Sequence, residues 1–93
     1  MTMKKTIWKY PFEVNDEVKL TMPKGAEILT LMTQQGQPCI WALVNPDEEQ
    51  VEKTFEIYGT GHPIDDNPLG ERKYIGSFQV FNQALIFHVF EII

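Results

Sequence analysis

The chain has 93 residues, 43% of them apolar, with six Phe, three Tyr and two Trp. That length suits one small domain spanning residues 1–93, and the apolar share excludes disorder. A net charge of −5 weighs against nonspecific nucleic-acid binding, which relies on Lys and Arg to neutralise phosphates.

The apolar runs are short, far below the roughly 20 residues of a membrane-crossing helix, so no membrane association is expected. The basic start, Met1 to Lys5, leads into an alternating segment rather than an apolar one, and no signal peptide is read. Cys39 is the single cysteine. No internal disulfide can form, and a reducing cytoplasmic compartment is expected.

Thr6 to Val14 alternates, with Trp8, Tyr10, Phe12 and Val14 on one face and Lys9, Pro11 and Glu13 on the other. This is the pattern of a half-buried strand, and Pro11 places it at a sheet edge. Asn15-Asp16 turns the chain, and Val18, Leu20 and Met22 form a second alternating set. Past Pro23-Lys24-Gly25, Ile28 to Thr33 is the third strand, apolar at Ile28, Leu29, Leu31 and Met32. Gln34-Gln35-Gly36-Gln37 links it to Cys39–Val44, a hairpin whose second strand is apolar on both faces and therefore central.

Asn45-Pro46-Asp47 stops that strand. Asp47 to Glu52 reads equally as a solvated loop or a single helical turn. Lys53–Tyr58 is a further strand, and Gly59 to Gly70 is the longest irregular loop. Tyr74–Phe81 and Ala84–Ile92 close the chain, joined tightly at Asn82-Gln83. About seven short, mostly antiparallel strands predict an all-β fold, a small sandwich or barrel. In the last strand Leu85, Phe87 and Val89 line one face, while Ile86, Phe90 and Ile92 line the other, with His88 among them. Such a strand is either central in a sandwich or covered by a partner chain, and the second case is a homo-oligomer through Ile86, Phe90 and Ile92.

Gly59-Thr60-Gly61-His62 is the most chemically suggestive stretch. Two glycines let a backbone approach a ligand closely, and a hydroxyl and an imidazole add polar contacts. Gly59, Thr60, Gly61 and His62, with Arg72 as a further polar partner, are the candidate ligand-binding residues. The ordinary reading is a glycine turn leaving a strand, and the stretch lacks the length, lysine and following helix of a P-loop. His62, His88, Asp65 and Asp66 match no zinc spacing, so neither metal nor cofactor is predicted, and His88 reads as a core histidine. Cys39 opens a buried-looking strand, and Glu56 and Glu91 read as solvent-facing strand carboxylates. No catalytic residue is assigned. Trp8, Tyr10, Trp41, Tyr58, Tyr74 and Phe78 could form a base-stacking platform but read better as an aromatic core. Asp47-Glu48-Glu49 with Glu52 could imitate phosphates; a solvated face is the ordinary explanation.

Several blocks resemble a family of short uncharacterised proteins of bacteriophage and prophage genomes, a domain of unknown function. They are Ile7-Trp8-Lys9-Tyr10, Met22-Pro23-Lys24-Gly25-Ala26, Trp41-Ala42-Leu43-Val44-Asn45-Pro46, Gly59-Thr60-Gly61-His62, Tyr74-Ile75-Gly76-Ser77-Phe78-Gln79 and His88-Val89-Phe90-Glu91. The resemblance covers nearly the whole chain and carries no catalytic residue. It implies a phage or prophage accessory product acting inside a bacterial host cell. The expected function is non-enzymatic binding of a host component, a host protein or a small nucleotide. Counter-defence by occlusion or by sequestering a nucleotide signal would follow. The alternatives are a structural or assembly subunit of a phage particle and a small nucleotide-processing enzyme.

Overall fold

Alternation of apolar and polar residues dictates the layout. The computed structural model describes residues 4–66, 70–80 and 85–93. These form seven strands and no helix: β1 (Thr6–Pro11), β2 (Glu17–Pro23), β3 (Glu27–Gln34), β4 (Gln37–Val44), β5 (Gln50–Gly59), β6 (Arg72–Val80) and β7 (Leu85–Ile92). They make two antiparallel sheets, ordered β1-β4-β3 and β2-β5-β7-β6. The shortest extent of the molecule is 16 Å, which admits two sheets about 10 Å apart and no third layer. β3 and β6 meet at the seam, where a Cβ on Gly76 would touch Leu31 at 3.7 Å, yet they share no ladder. The fold is a sandwich rather than a barrel. Among the described residues no helix is long and apolar enough to cross a membrane. The expected ends Phe81 and Ala84 and the turn Asn82-Gln83 lie outside the described residues.

β1 is an edge strand, as Pro11 requires, and β4 is central with Ile40 and Ala42 fully buried. β1 ends at Pro11 rather than Val14. Phe12 still donates its N–H to the Pro38 carbonyl at 3.1 Å and is buried. The β3–β4 hairpin turns at Gln35 and Gly36, with φ of 52° and 80°. A two-residue type I′ turn needs positive φ at both positions, and only glycine adopts it without strain.

Gln50 to Glu52 is strand, neither solvated loop nor helical turn. Thr21, Met22 and Pro23 of β2 pair with Glu52, Val51 and Gln50, and that ladder outweighs the weak strand preference of acidic residues. The helical option is closed one step earlier. The Asn45 side-chain oxygen accepts the Asp47 N–H, and the Asn45 carbonyl accepts the Glu48 N–H, both at 3.1 Å.

Two bulges reset the alternation. In β3 the register slips between Ile28 and Thr30, so Ile28 and Leu31 both pack on the core while Leu29 is 45% exposed. In β6 it slips between Tyr74 and Gly76. Phe78 and Val80 then face inward, and Arg72 and Tyr74, of the same parity, face outward. The core draws on both sheets: Phe12, Ile40, Ala42 and Val44 from one side, and Val18, Met22, Phe55, Ile57, Phe78 and Val89 from the other. Burying one such side chain contributes about 1.5–3 kcal/mol.

Candidate functional site

Because Phe87, Val89 and Glu91 turn inward, period-2 geometry sends His88, Phe90 and Ile92 to the outer face of β7. The ladders set Tyr58 of β5 beside His88 and Glu56 beside Phe90, and from the other side Tyr74 of β6 pairs with Phe90. Three strands thus present an aromatic patch away from the core. Tyr74 packs edge-on to Phe90 at 5.3 Å between centroids, Tyr58 does so at 6.0 Å, and the Tyr74 and His88 rings lie 5.9 Å apart. Tyr74 is 51% exposed.

Two hydrogen-bonded clusters fix these rings. Arg72 Nε donates to Glu56 Oε1 at 2.5 Å, the Tyr58 hydroxyl donates to the same oxygen at 3.2 Å, and a second guanidinium nitrogen donates to that hydroxyl at 3.4 Å. The guanidinium also sits 5.8 Å from the Tyr58 ring centroid. Its hydrogen bond to Glu56, foremost, holds Arg72 above the usual guanidinium range. Burial first, then the Glu56 carboxylate, pushes the Tyr58 phenol up, with Arg72 opposing. In the second cluster His88 Nδ1 lies 2.8 Å from the Tyr74 hydroxyl, and Nε2 lies 2.7 Å from Thr60 Oγ1. Thr60 Oγ1 in turn donates to the Ile86 carbonyl at 3.3 Å. One chain of donors satisfies every group: Tyr74 O–H to Nδ1, Nε2–H to Thr60, and Thr60 O–H to Ile86.

The Gly59–His62 segment is a turn closed by the His62 N–H on the Gly59 carbonyl at 3.0 Å, with Gly61 at φ +87°. That left-handed position demands glycine. Gly59 is required for a different reason: a Cβ there would lie 2.8 Å from the His62 ring. The Thr60 N–H donates to the Ile86 carbonyl at 3.1 Å. Two of the loop amides are therefore engaged within the fold. A ligand here would meet side chains rather than those two amides.

The structure divides the expected site residues. Thr60 and Arg72 both reach the outer face, through His88 and through Glu56 and Tyr58 respectively. His62 stands apart, in the wall shared by two clefts, and Gly59 and Gly61 shape the turn. His88 is not a core histidine, because the inward positions of β7 belong to Phe87, Val89 and Glu91. Glu91 is not a solvent-facing carboxylate either. It is 6% exposed and paired with Lys53 Nζ at 2.9 Å. Glu56 is half-buried in its bond to Arg72. The six aromatic residues read as a core are split: Phe78 is buried, Trp8, Tyr10 and Trp41 belong to the other sheet with Tyr10 packed on the core, and only Tyr58 and Tyr74 share the outer patch. Among the described residues no group of three or more His, Cys, Asp or Glu side chains could hold a metal. Cys39 is buried, with its sulfur 3.4 Å from the Gln37 carbonyl.

A family model described as a domain of unknown function (DUF7352) matches residues 3–93, and the chain belongs to that family. No curated protein and no solved structure matches it.

Proposed function

We propose that this member of the DUF7352 family is a non-enzymatic binding domain that docks a protein partner on the outer face of β5, β6 and β7. The observation that carries the reading is the Tyr58–Tyr74–His88–Phe90 patch, whose polar groups are bonded to one another or to Glu56, Arg72 and Thr60. Its rings are held before any partner arrives, so little side-chain entropy is lost on docking. Tyrosine, phenylalanine and arginine are the side chains enriched at protein interfaces.

A protein fits this face better than a nucleotide signal, because Arg72 is already committed to Glu56. Catalysis fits it poorly. Thr60 and His88 are in hydrogen-bond reach, but Tyr74, not a carboxylate, orients the imidazole, and the Thr60 hydroxyl is shared with a backbone carbonyl. The context we propose is the one the sequence blocks imply. A phage or prophage product would occlude a host component, a defence protein among them, inside the bacterial cytoplasm.

A second reading rests on Ile86, Phe90 and Ile92, which share this face and would suit a second copy of the chain or a structural subunit. Native mass spectrometry of tagged protein purified from a bacterial host separates the cases. The wild type should retain a stoichiometric protein that Tyr74→Ala loses while melting as wild type does. Retention by the wild type and by Tyr74→Ala alike would remove the face from consideration. A homodimer broken by Ile86→Glu would favour the second reading.

A further inference from the structure

The docking face leaves two clefts around His62 without a role. The first, about 460 Å³, lies between the approach to β2 and the end of β5, walled by Asp16, Glu17, Glu56, Tyr58, His62 and Phe87 among others. The second, about 290 Å³, lies across the same imidazole, over Leu85, Ile86 and Phe87 with Thr60 at its rim. Gly59, His62 and Phe87 line both, so one ligand can occupy the two together.

Their chemistry is unequal. Neither wall contains a lysine or arginine, and the first carries three carboxylates. The register sets Glu17 directly opposite Glu56, a like-charge pair that costs stability in a ladder. Arg72 answers Glu56, and Lys19 lies 3.6 Å from Glu17 with both side chains half exposed. Asp16 has no cation within ion-pair distance among the described residues. The Asp16 carboxylate, left uncompensated beside a Glu17 only partly answered by an exposed lysine, lowers the energy of an incoming cation in this cleft. The second cleft is apolar, with a volume suited to one side chain rather than a whole ligand.

Building on the protein-partner reading, we propose that these clefts receive a basic and an apolar side chain from one segment of the partner. An ammonium or guanidinium enters beside Asp16 and Glu17, and an aromatic or aliphatic group enters over Leu85 and Ile86. His62 is the wall between them.

The test is a titration of the isotopically labelled full chain with N-acetyl-Phe-Arg-amide, followed by amide NMR shifts, with N-acetyl-Phe-Glu-amide as the control. The arginine peptide should shift Asp16, Glu17, Gly59 and Ile86 saturably, and the glutamate peptide should not. The double variant Asp16→Asn/Glu17→Gln should weaken binding about tenfold, as expected when attraction between opposite charges is lost. It should also melt at or above the wild-type temperature, because a like-charge repulsion has been relieved. Equal binding of the two peptides, wild-type affinity in the double variant, no saturable shift, or a lower melting temperature would each overturn the proposal. Tyr74→Ala keeps the two readings distinguishable. It should bind the dipeptide normally, and shifts confined to Tyr74 and Phe90 would assign the peptide to the sheet face instead.

Discussion

The two faces of the four-stranded sheet are made from similar residues and held in different ways. On the inner face Phe55 and Val89 are fully buried and Ile57 nearly so, and the polar content described there is the Lys53–Glu91 pair. On the outer face Tyr58, Tyr74, His88 and Phe90 are half-buried or exposed, and side chains bond to side chains across three strands. The inner face is fixed by exclusion of water, the outer by satisfaction of polar groups. β7 is apolar on both sides for two separate reasons, and only one of them is the core.

Phe55→Ala is the largest way to probe that contrast. It should cost about 4 kcal/mol by urea unfolding, the loss expected for a fully buried aromatic ring. Phe90→Ala, on the other face, should cost less than half as much. Equal costs would mean that something covers the outer patch in solution. Lys53→Met comes next. Glu91 would be left at 6% exposure without its cation, at a cost of about 2 kcal/mol, below the usual range because Lys53 is itself partly exposed. The double variant Lys53→Met/Glu91→Leu should recover most of that loss. If it does not, the pair does more than neutralise itself.

Much of the inner face was legible in the sequence, and little of the outer one. Strict alternation from Leu85 to Ile92 assigns both sides of β7 correctly. Pro11 marks an edge and the Cys39–Val44 run marks a central strand. The bulges were not legible, because an extra residue changes which face a side chain takes without changing composition. Ile28, Leu29, Leu31 and Met32 show the trace of one as a broken alternation, but Arg72 and Tyr74 show nothing. The outer patch depends on that second bulge, so Tyr58 and Tyr74 read as core aromatics and Arg72 as a polar partner of the glycine loop. Glu91 was missed for another reason. Its partner Lys53 is far away in sequence and meets it only through the β5–β7 ladder.

The smallest effect separates two tyrosines. Tyr10 belongs to β1 and packs against the core with its hydroxyl buried and without a hydrogen-bond partner among the described residues. Tyr58 lies on the outer patch with its hydroxyl between Glu56 and Arg72. Burial raises the Tyr10 phenol above its ordinary value of 10.0, and burial followed by the Glu56 carboxylate raises Tyr58. Both groups hold their proton more tightly folded than unfolded. Their contribution is therefore complete below pH 10, and it is lost as the pH climbs from there through the folded values. Each Tyr→Phe variant should remove its own share of that alkaline loss, read as the difference in urea midpoint between pH 7 and a pH above 10. At neutral pH the two should part company. Tyr10→Phe deletes a buried hydroxyl that gains nothing and should leave stability unchanged or raise it, whereas Tyr58→Phe takes a donor from Glu56 and should lower it by about 1 kcal/mol. Equal losses at neutral pH would show that the Tyr10 hydroxyl is bonded after all, and that at β1 the core is held by more than packing.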